Sequence, residues 1–393
     1  MNTKSAFDVV IVGAGLIGLA LAPALARSGL RVALVERGAI GENDTFDPTT
    51  FDVRVYAISP GSATFLRSVG AWQALAAERI TAIESMRVEG DGGAVLQFSA
   101  YDLRERALAW IVEERELRAA LVRTARRASI DIVANAKLES LRFSAASASL
   151  HLADGRTFDA KLIVGADGAR SWVREAAGIV AEPKSYGQTA IVANFACERA
   201  HHGRAYQWFR DDGGVLAWLP LPGRRMSMVW SAPDALAQSL VSDDPLARAA
   251  RVSDAGRHAL GALTPLGDVG AFPLQFLRVP TSVALRLALV GDAAHGVHPL
   301  AGQGVNLGFG DAQALATIVA ERGPVTDPAA PILLERYARR RAEPVLAMQA
   351  VTDGLARLFG PPTPWLKTLR NAGISAVDRL PLIKRALAQP ALR

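Results

Sequence analysis

Three glycines near the start of the chain have the spacing that lets a backbone approach a phosphate. The motif "GAGLIG" comprises Gly13, Ala14, Gly15, Leu16, Ile17 and Gly18. It follows the apolar run "FDVVIV" and opens an apolar segment with helical character, so its free amides and the positive end of the helix can hold a pyrophosphate. Glycines that serve only to pack a strand against a helix are the simpler alternative.

An acidic residue ends the next apolar run. Glu36 follows "LRVALV", and Arg37 comes directly after it. An acid at the end of the second strand of a βαβ unit accepts hydrogen bonds from a ribose and disfavours a 2′-phosphate. Together with the glycine motif, it predicts a site for NAD or FAD rather than NADP.

Two later segments again place aspartate and glycine after an apolar run. In "LIVGADGARS", Asp167 stands in a turn before a helix, which a plain strand–turn–helix joint also explains. In "LALVGDAAHGVHPLAGQGVNLG", Gly291 and Asp292 end a strand, and Asp292 can bind a ribose or ribityl hydroxyl. The start of the following helix offers further groups that can point at an anion, namely Gly302, Gly304, Val305 and Asn306.

The elements that must position these residues alternate between strand and helix. This pattern predicts an α/β fold with a Rossmann-like domain of the glutathione-reductase type, interleaved with a mostly antiparallel sheet and followed by a helical C-terminus. The predicted first domain combines residues 1–80, 100–181 and 282–330, and the second combines residues 81–99 and 182–281. Residues 331–393 form the helical region.

The second domain is rich in aromatic residues and suited to covering a ligand. Trp208, Phe209, Trp218 and Trp230 lie in its predicted strands. They face a hydrophobic substrate or pack in the core, and the sequence favours neither role.

Composition excludes several classes of protein. The chain has 393 residues, half of them hydrophobic, and one cysteine, Cys197, so no internal disulfide forms and a reducing, cytoplasmic location is expected. No Cys or His cluster has metal-ligand spacing. From Pro331 to Arg393 there are 11 Lys and Arg against 4 Asp and Glu. This basic region is a solvated helix face, a contact for an acidic partner, or a surface for the inner face of a membrane. Nucleic acid is not an expected partner.

The three motifs, in this order and across nearly the whole chain, resemble those of the group A FAD-dependent aromatic hydroxylases. "DVRVYAISPGS", "WIVEERELRAAL", "YGQTAIVANF" and "HPLAGQGVNLGFGD" are most similar to the branch that acts in ubiquinone biosynthesis. The resemblance implies FAD as cofactor, O₂ as co-substrate and NAD(P)H as a transient reductant. It also implies that a C4a-hydroperoxide of the flavin hydroxylates a hydrophobic aromatic substrate, here a polyprenylated phenol.

The resemblance also assigns residues. The ADP part of FAD would be bound by the first glycine motif and by Glu36 and Arg37, and the cofactor's centre would be supported by Asp167. Arg54, Arg115 and Arg118 would lie beside the flavin or its phosphates, although the branch usually has Gln where Arg118 stands. Asp292 would hold the ribityl chain, and Pro299, Gly302, Gly304, Val305 and Asn306 would lie near the isoalloxazine.

His298 is the one candidate for a catalytic side chain. Near the substrate ring it would orient the ring or handle a proton, whereas a histidine before a proline in a loop is often only structural. Two other functions remain open: hydroxylation of a small soluble phenol, and a non-catalytic flavin-binding subunit of a biosynthetic complex.

Overall fold

The computed structural model describes residues 4–41, 50–298, 302–360 and 364–392. The strands are β1 Lys4–Val12, β2 Val32–Val35, β3 Val55–Ile58, β4 Thr81–Ile83, β5 Ser85–Glu89, β6 Val95–Ser99, β7 Ala109–Glu113, β8 Ile130–Val133, β9 Leu138–Phe143, β10 Ala148–Leu152, β11 Thr157–Gly165, β12 Lys184–Cys197, β13 Arg204–Phe209, β14 Val215–Leu221, β15 Arg225–Pro233, β16 Leu263–Arg278, β17 Val283–Ala284, β18 Leu287–Leu289 and β19 His295–Gly296. The helices are α1 Leu16–Ala26, α2 Pro60–Val69, α3 Ala100–Leu103, α4 Glu114–Arg127, α5 Trp172–Ala176, α6 Asp234–Ser242, α7 Pro245–Ala255, α8 Gly304–Ala320, α9 Pro331–Leu358, α10 Pro364–Arg379 and α11 Pro381–Leu392.

The first sheet has a parallel centre and is buried on both faces. Its strands run in the order β17-β18-β11-β1-β2-β8, and β10 and β9 extend it antiparallel from β11. In β1, Val9 and Ile11 pack in the core formed with α1, α4 and α8. Val10 and Val12 pack on the other face, in the core beside β10 and β11. Because both faces are covered, β1 is apolar without alternation, as expected of a central parallel strand.

The second sheet runs in the order β19-β16-β12-β15-β14-β13-β5-β6. Its neighbouring strands are antiparallel, except for β13 and β5, which are parallel. Strands β5 and β6 come from early in the chain, so the two sheets are interleaved along the sequence. The fold class predicted from the sequence is confirmed.

The tryptophans of the second sheet pack away from the first domain. Trp208, Trp218 and Trp230 are buried in a cluster with residues of α6 and α7. Successive side chains of β14 point to opposite faces of the sheet, so Trp218 faces these helices and Ala217 and Leu219 face the other side. Of the two roles predicted for these residues, core packing is the one observed.

A small sheet, β3-β7-β4, lies between the two large ones. Ala57 of β3 and Ile111 of β7 share an apolar cluster with Ala205 and Leu221 of the second sheet. Strand β3 belongs to the segment "RVYAIS", so this packing places Arg54 at the boundary between the domains.

Helix α9 connects the first domain to the far edge of the second sheet. At its C-terminal end, Phe359 stacks on Phe209 of β13 with ring centroids 3.8 Å apart. Arg370 of α10 pairs with Asp91 in the β5–β6 turn, and Asn371 accepts a 3.1 Å hydrogen bond from the amide of Gly92. Within the described ranges, no helix has the length and apolar content needed to cross a membrane.

Candidate active site

The carboxyl ends of four parallel strands bring the sequence motifs together. The amide of Gly13, after β1, donates to the carbonyl of Val35 (2.8 Å), and the amide of Ala166, after β11, donates to the carbonyl of Val12 (2.8 Å). The amide of Val290, after β18, donates to the carbonyl of Gly165 (3.0 Å). The sheet edge where these strands end is therefore the candidate site, as in other open α/β sheets.

The glycines of the first motif have different roles. Gly13 has φ +109°, and a Cβ atom there would lie 2.4 Å from the carbonyl oxygen of Ala166. A Cβ atom at Gly18 would lie 2.0 Å from the carbonyl oxygen of Gly13. Gly15 is the N-cap of α1, has no side-chain cap, and would place a Cβ atom in open space. Packing therefore explains Gly13 and Gly18, while Gly15 leaves the helix amides accessible to an anion.

Glu36, which directly follows β2, bonds to the glycine turn through its side chain. Its carboxylate accepts hydrogen bonds from the amides of Ala14 (2.6 Å) and Gly38 (2.9 Å). Arg37 beside it is exposed. The carboxylate thus stands at the turn, where the resemblance requires an acceptor for a ribose.

The two arginines assigned on α4 reach different places. The Arg118 guanidinium donates to the carbonyl of Ala14 (2.9 Å), so it lies at the glycine turn. The Arg115 guanidinium is bonded to Thr50 and paired with Glu113 (3.2 Å). Arg118, which departs from the usual glutamine, is therefore the one beside the expected pyrophosphate.

Asp167 lies next to the first motif through its backbone rather than its carboxylate. Its Cα atom lies 2.8 Å from where a Cβ of Gly13 would be. Its carboxylate accepts hydrogen bonds from the Ser171 hydroxyl and the Val173 amide, which caps α5. The side chain fixes the turn, and the backbone supports the glycine loop.

The third motif contacts the first through Ile17. Side-chain atoms of Ile17 lie within 3.2 Å of the Cβ positions of Gly291 and Gly308, so larger residues at these glycines would separate the segments. Asp292 is exposed at the edge of the cleft. The protein around the cleft desolvates the Asp292 carboxyl and so raises its pKa, and the positive charges of His295 and Arg54 only partly oppose this shift. In the protein without a ligand, the surroundings of Asp292 therefore disfavour the charged form of its carboxyl.

The Asn306 side chain bonds the start of α8 to the segment between β3 and α2, at the boundary between the domains. Its amide nitrogen donates to the carbonyl of Ala57 (2.9 Å), and its oxygen accepts from the amide of Ser59 (3.0 Å). Gly302, with φ +63°, packs close to Ala57, and Gly304 begins the helix. Val305 is half-buried beside them. The Asn306 side chain is therefore structural, and the backbone amides of this helix start are the groups available to a ligand.

Arg54 stands between the third motif and the second sheet. Its guanidinium pairs with Glu114 (2.9 Å), donates to the Tyr56 hydroxyl (2.9 Å), and lies over the ring of Phe272 at 5.0 Å. Burial, together with the nearby Glu114 carboxylate, raises the pKa of Tyr56. Tyr56 was not among the predicted residues, although it lies within the segment that identified Arg54.

His298 lies where the third motif meets strand β12. Its Nε2 is 3.0 Å from the Gln188 Oε1, and because the Gln188 nitrogen donates to the carbonyl of Gly213 (3.0 Å), His298 is the donor of this bond. Gln188 and Tyr186 project from a bulge in β12, and the Tyr186 ring meets His298 edge-on at 4.9 Å. Burial lowers the pKa of His298 to about 4, so the imidazole is neutral at neutral pH.

His298 should make stability fall under mild acid. An unfolded histidine titrates near pH 6.5 and folded His298 near 4, so between these values the unfolded chain takes up a proton that the folded chain excludes. The expected loss across this window is about 3 kcal/mol. Urea unfolding of the parent and of His298→Asn, compared from pH 7 to pH 4.5, should show a weaker pH dependence in the variant. His151→Asn is the control, and equal slopes in all three proteins would contradict the prediction.

A buried charge network that the sequence did not reveal supports the third motif. Asp311 of α8 is 1% exposed and contacts His295 Nε2 and Arg341 Nε, each at 2.6 Å. Burial lowers the pKa of His295, but the Asp311 carboxylate outweighs it, so the net shift is upward. Asp311 keeps a lowered pKa despite its burial because His295 and Arg341 stabilise its charge. The glycines of "NLGFGD" were the available signal, since a Cβ atom at Gly310 would lie 2.9 Å from the Arg341 guanidinium.

The described residues fit a flavin dinucleotide. The open position at Gly15 and the uncapped α1 amides suit a pyrophosphate, Glu36 suits a ribose, and Asp292 suits a ribityl chain. Pro299, also predicted to lie near the cofactor, falls outside the described residues.

Comparison with known proteins gives the class of this chain. A family model described as "FAD binding domain" matches residues 6–352. The chain belongs to this family, and it is an FAD-dependent monooxygenase.

Two relatives and one solved structure sharpen this placement. The ubiquinone hydroxylase UbiL of Rhodospirillum rubrum is 37% identical over 388 residues, which cover 98% of this chain and 89% of that protein. The 3-demethoxyubiquinol 3-hydroxylase of Escherichia coli is 33% identical over 398 residues, with 99% of each chain covered. The structure of PqsL from P. aeruginosa in complex with 2-aminobenzoylacetate has a TM-score of 0.80 at 24% identity, covering 94% of this chain and 99% of that one. The resemblance inferred from the motifs is confirmed.

Proposed function

We propose that this protein hydroxylates the aromatic ring of a polyprenylated phenol in ubiquinone biosynthesis. The observation that carries the proposal is the similarity of the whole chain to two ubiquinone-pathway hydroxylases. Bound FAD supplies the redox chemistry, passing electrons from NAD(P)H to O₂. The chain's own residues bind the cofactor, hold the ring and exclude water.

The inner face of the second sheet supports an apolar ring as substrate. Gly270, Val192, Val229 and Ala217 form one row across strands β16, β12, β15 and β14. Val229 and Ala217 remain half-exposed in central strands whose opposite faces are fully buried. Phe272, 36% exposed, lies in the next row, under Arg54. Small and aliphatic side chains along a strand row leave a flat apolar wall against which an aromatic ring can pack.

The charged groups at the cofactor edge have separate tasks in this proposal. Arg118 and the α1 amides hold the pyrophosphate. The amides at the start of α8 would stabilise negative charge on a bound flavin, an effect worth up to ~2 kcal/mol when such a helix terminus is partly buried. Arg54, held by Glu114 and Tyr56, would place its guanidinium near the cofactor at the boundary between the domains.

The substrate class can be tested with the purified, FAD-loaded protein. A short-chain polyprenylphenol and the same phenol without its tail are each supplied with NADH or NADPH, and products are identified by mass. We expect only the prenylated compound to gain one oxygen atom. Hydroxylation of the free phenol alone would indicate a small-phenol hydroxylase, and bound FAD without substrate-dependent oxygen consumption would indicate a non-catalytic subunit. Complementation of strains that each lack one ubiquinone ring hydroxylase then identifies the ring position.

His298 is proposed to orient the substrate ring or to handle its proton. The proposal is supported by a neutral imidazole that is fixed through Gln188 where the third motif meets strand β12. His298→Ala should lower product formation at least tenfold and divert electrons to hydrogen peroxide, since positioned acid–base groups contribute roughly 10²-fold or more. Full product formation without excess peroxide would make His298 a structural residue. His151→Ala serves as the control.

We also propose that α10 and α11 meet an anionic membrane surface, from which a polyprenyl-tailed substrate is taken. Trp365 and Leu369 of α10 are 67% and 59% exposed, and Leu380, Ile383 and Leu387, at and after the end of α10, are exposed as well. The polar side of α10, with Arg370 and Asn371, is already engaged by the β5–β6 turn. The net positive charge of residues 331–393 complements anionic lipid.

Flotation with vesicles separates this surface from a protein contact. The parent should bind vesicles that contain anionic lipid, and a variant with Trp365→Ser and Leu369→Ser should bind at least fivefold less. Val180→Ser, which alters an exposed residue elsewhere, should behave as the parent. Equal partitioning of all three would reject the membrane role, and a change in molecular mass of the double variant would instead indicate self-association through this face.

A further inference from the structure

Helix α9 contacts the segment 291–298, which carries Asp292 and His298. In the second turn of the helix, the Tyr337 hydroxyl donates to the carbonyl of Leu289 (2.8 Å), two residues before the segment. Arg341, one turn further, pairs with Asp311 and donates to the carbonyl of Leu307 (3.0 Å). About two turns later, the Gln349 nitrogen donates to the carbonyls of Leu277 (2.9 Å) and Gly296 (3.2 Å).

The Asp311 carboxylate links Arg341 to two residues that flank Asp292: Gly291, which begins the 3-10 turn Gly291–Ala293, and His295, which begins β19. One of its oxygens accepts hydrogen bonds from the Gly291 amide (2.8 Å) and from His295 (2.6 Å), and the other contacts Arg341. Asp292 lies between Gly291 and His295, so its position depends on this carboxylate. Without Arg341 the buried carboxylate would keep His295 as its cation partner and lose half of its charge compensation, so it would shift or take up a proton and loosen its bonds to Gly291 and His295.

Gln349 fixes the other end of the segment. Its nitrogen joins Gly296, two residues before His298, to Leu277 of β16, in addition to the pairing of β19 with β16. Gln349 itself is buried and has no contact with the cleft residues Asp292 or His298 among its described bonds. Its effect on the site must therefore pass through the backbone of the segment.

We infer that Arg341 and Gln349 are positioning residues: through Asp311 and Gly296 they hold Asp292 and His298 in place for FAD and for the substrate ring. The effect on substrate rests on the proposed function, whereas the effect on FAD does not. Helix α9 thereby supports the cofactor site through two of its side chains, although it lies outside the site.

The experiment compares four variants with the parent. Arg341→Met removes the charge at similar length, Arg341→Lys restores a charge, and Gln349→Met removes the hydrogen bonds without a charge. Arg339→Met, which alters an exposed ion pair with Glu335 on the same helix, is the matched control. For each, the FAD dissociation constant is measured by fluorescence well below the unfolding temperature, and the ratio of product to hydrogen peroxide is measured at saturating FAD.

Arg341→Met should weaken FAD binding at least tenfold, Arg341→Lys should recover binding to within threefold of the parent, and Arg339→Met should equal the parent. Gln349→Met should mainly lower the ratio of product to peroxide, at least threefold. FAD binding within twofold of the parent in folded Arg341→Met would overturn the inference. If Arg341→Met does not fold, unchanged FAD binding and product ratio in Gln349→Met overturn it instead. If the parent hydroxylates no prenylated phenol, the proposed function fails and the FAD measurements still decide this inference.

Discussion

Gly18→Ala is expected to destabilise the apoprotein strongly, whereas Gly15→Ala should fold normally and bind FAD at least tenfold more weakly. The new methyl group at position 18 would lie 2.0 Å from the carbonyl oxygen of Gly13, in a turn that already packs against Ala166. Backbone must shift to relieve this overlap, at a cost of about 3 kcal/mol or more. At position 15 the methyl group meets no protein atom within 4 Å, and φ is −73°, which any residue adopts.

The loss at position 15 concerns the ligand alone. A methyl group in this open space occupies the path by which a pyrophosphate reaches the α1 amides, so the FAD dissociation constant should rise at least tenfold, or about 1.4 kcal/mol. Thermal unfolding of the apoproteins and FAD titration separate the two effects. If Gly15→Ala destabilised the apoprotein as much as Gly18→Ala and left FAD affinity unchanged, the whole motif would serve packing only.

Asp292→Asn should stabilise the apoprotein and weaken FAD binding at the same time. The folded state raises the pKa of Asp292, so it holds a proton more tightly than the unfolded chain does. The stability that this carboxyl contributes is therefore lost as the pH rises from the pKa of the unfolded chain, near 3.8, through the raised pKa of the folded protein. At neutral pH the ionised carboxylate destabilises the folded apoprotein. Asparagine removes that charge while keeping the shape of the side chain.

The effect on FAD has the opposite sign because a carboxylate is the stronger acceptor for a ribityl hydroxyl. We expect FAD affinity to fall at least tenfold while the apoprotein unfolds at a higher temperature, the pattern of a residue kept for function at the expense of stability. Asp268→Asn, at an exposed position of β16, provides the comparison. A variant that is less stable than the parent and binds FAD equally well would show that Asp292 supports the loop and not the ligand.

Local sequence was sufficient for the parts of the site whose chemistry lies along the backbone. The glycine motif, Glu36 and Asp292 each follow an apolar strand, and parallel strands end at a common edge, so their convergence could be predicted. Local sequence likewise predicted the aromatic-rich strands of the second sheet. It did not say which face meets the helices, because a period of two is the same for both faces.

Tertiary structure decided every feature that depends on a partner distant in the chain. The packing of α6 and α7 placed the tryptophans in the core and left Val229 and Ala217 for a ligand. His298 gained its neutral state from burial beside Gln188, which is 110 residues away. Asp311 and Arg341 meet across 30 residues because Gly310 leaves space for a guanidinium. Residue types fix which groups can bind or ionise, but the burial and partners that set their charge come only from the packed fold.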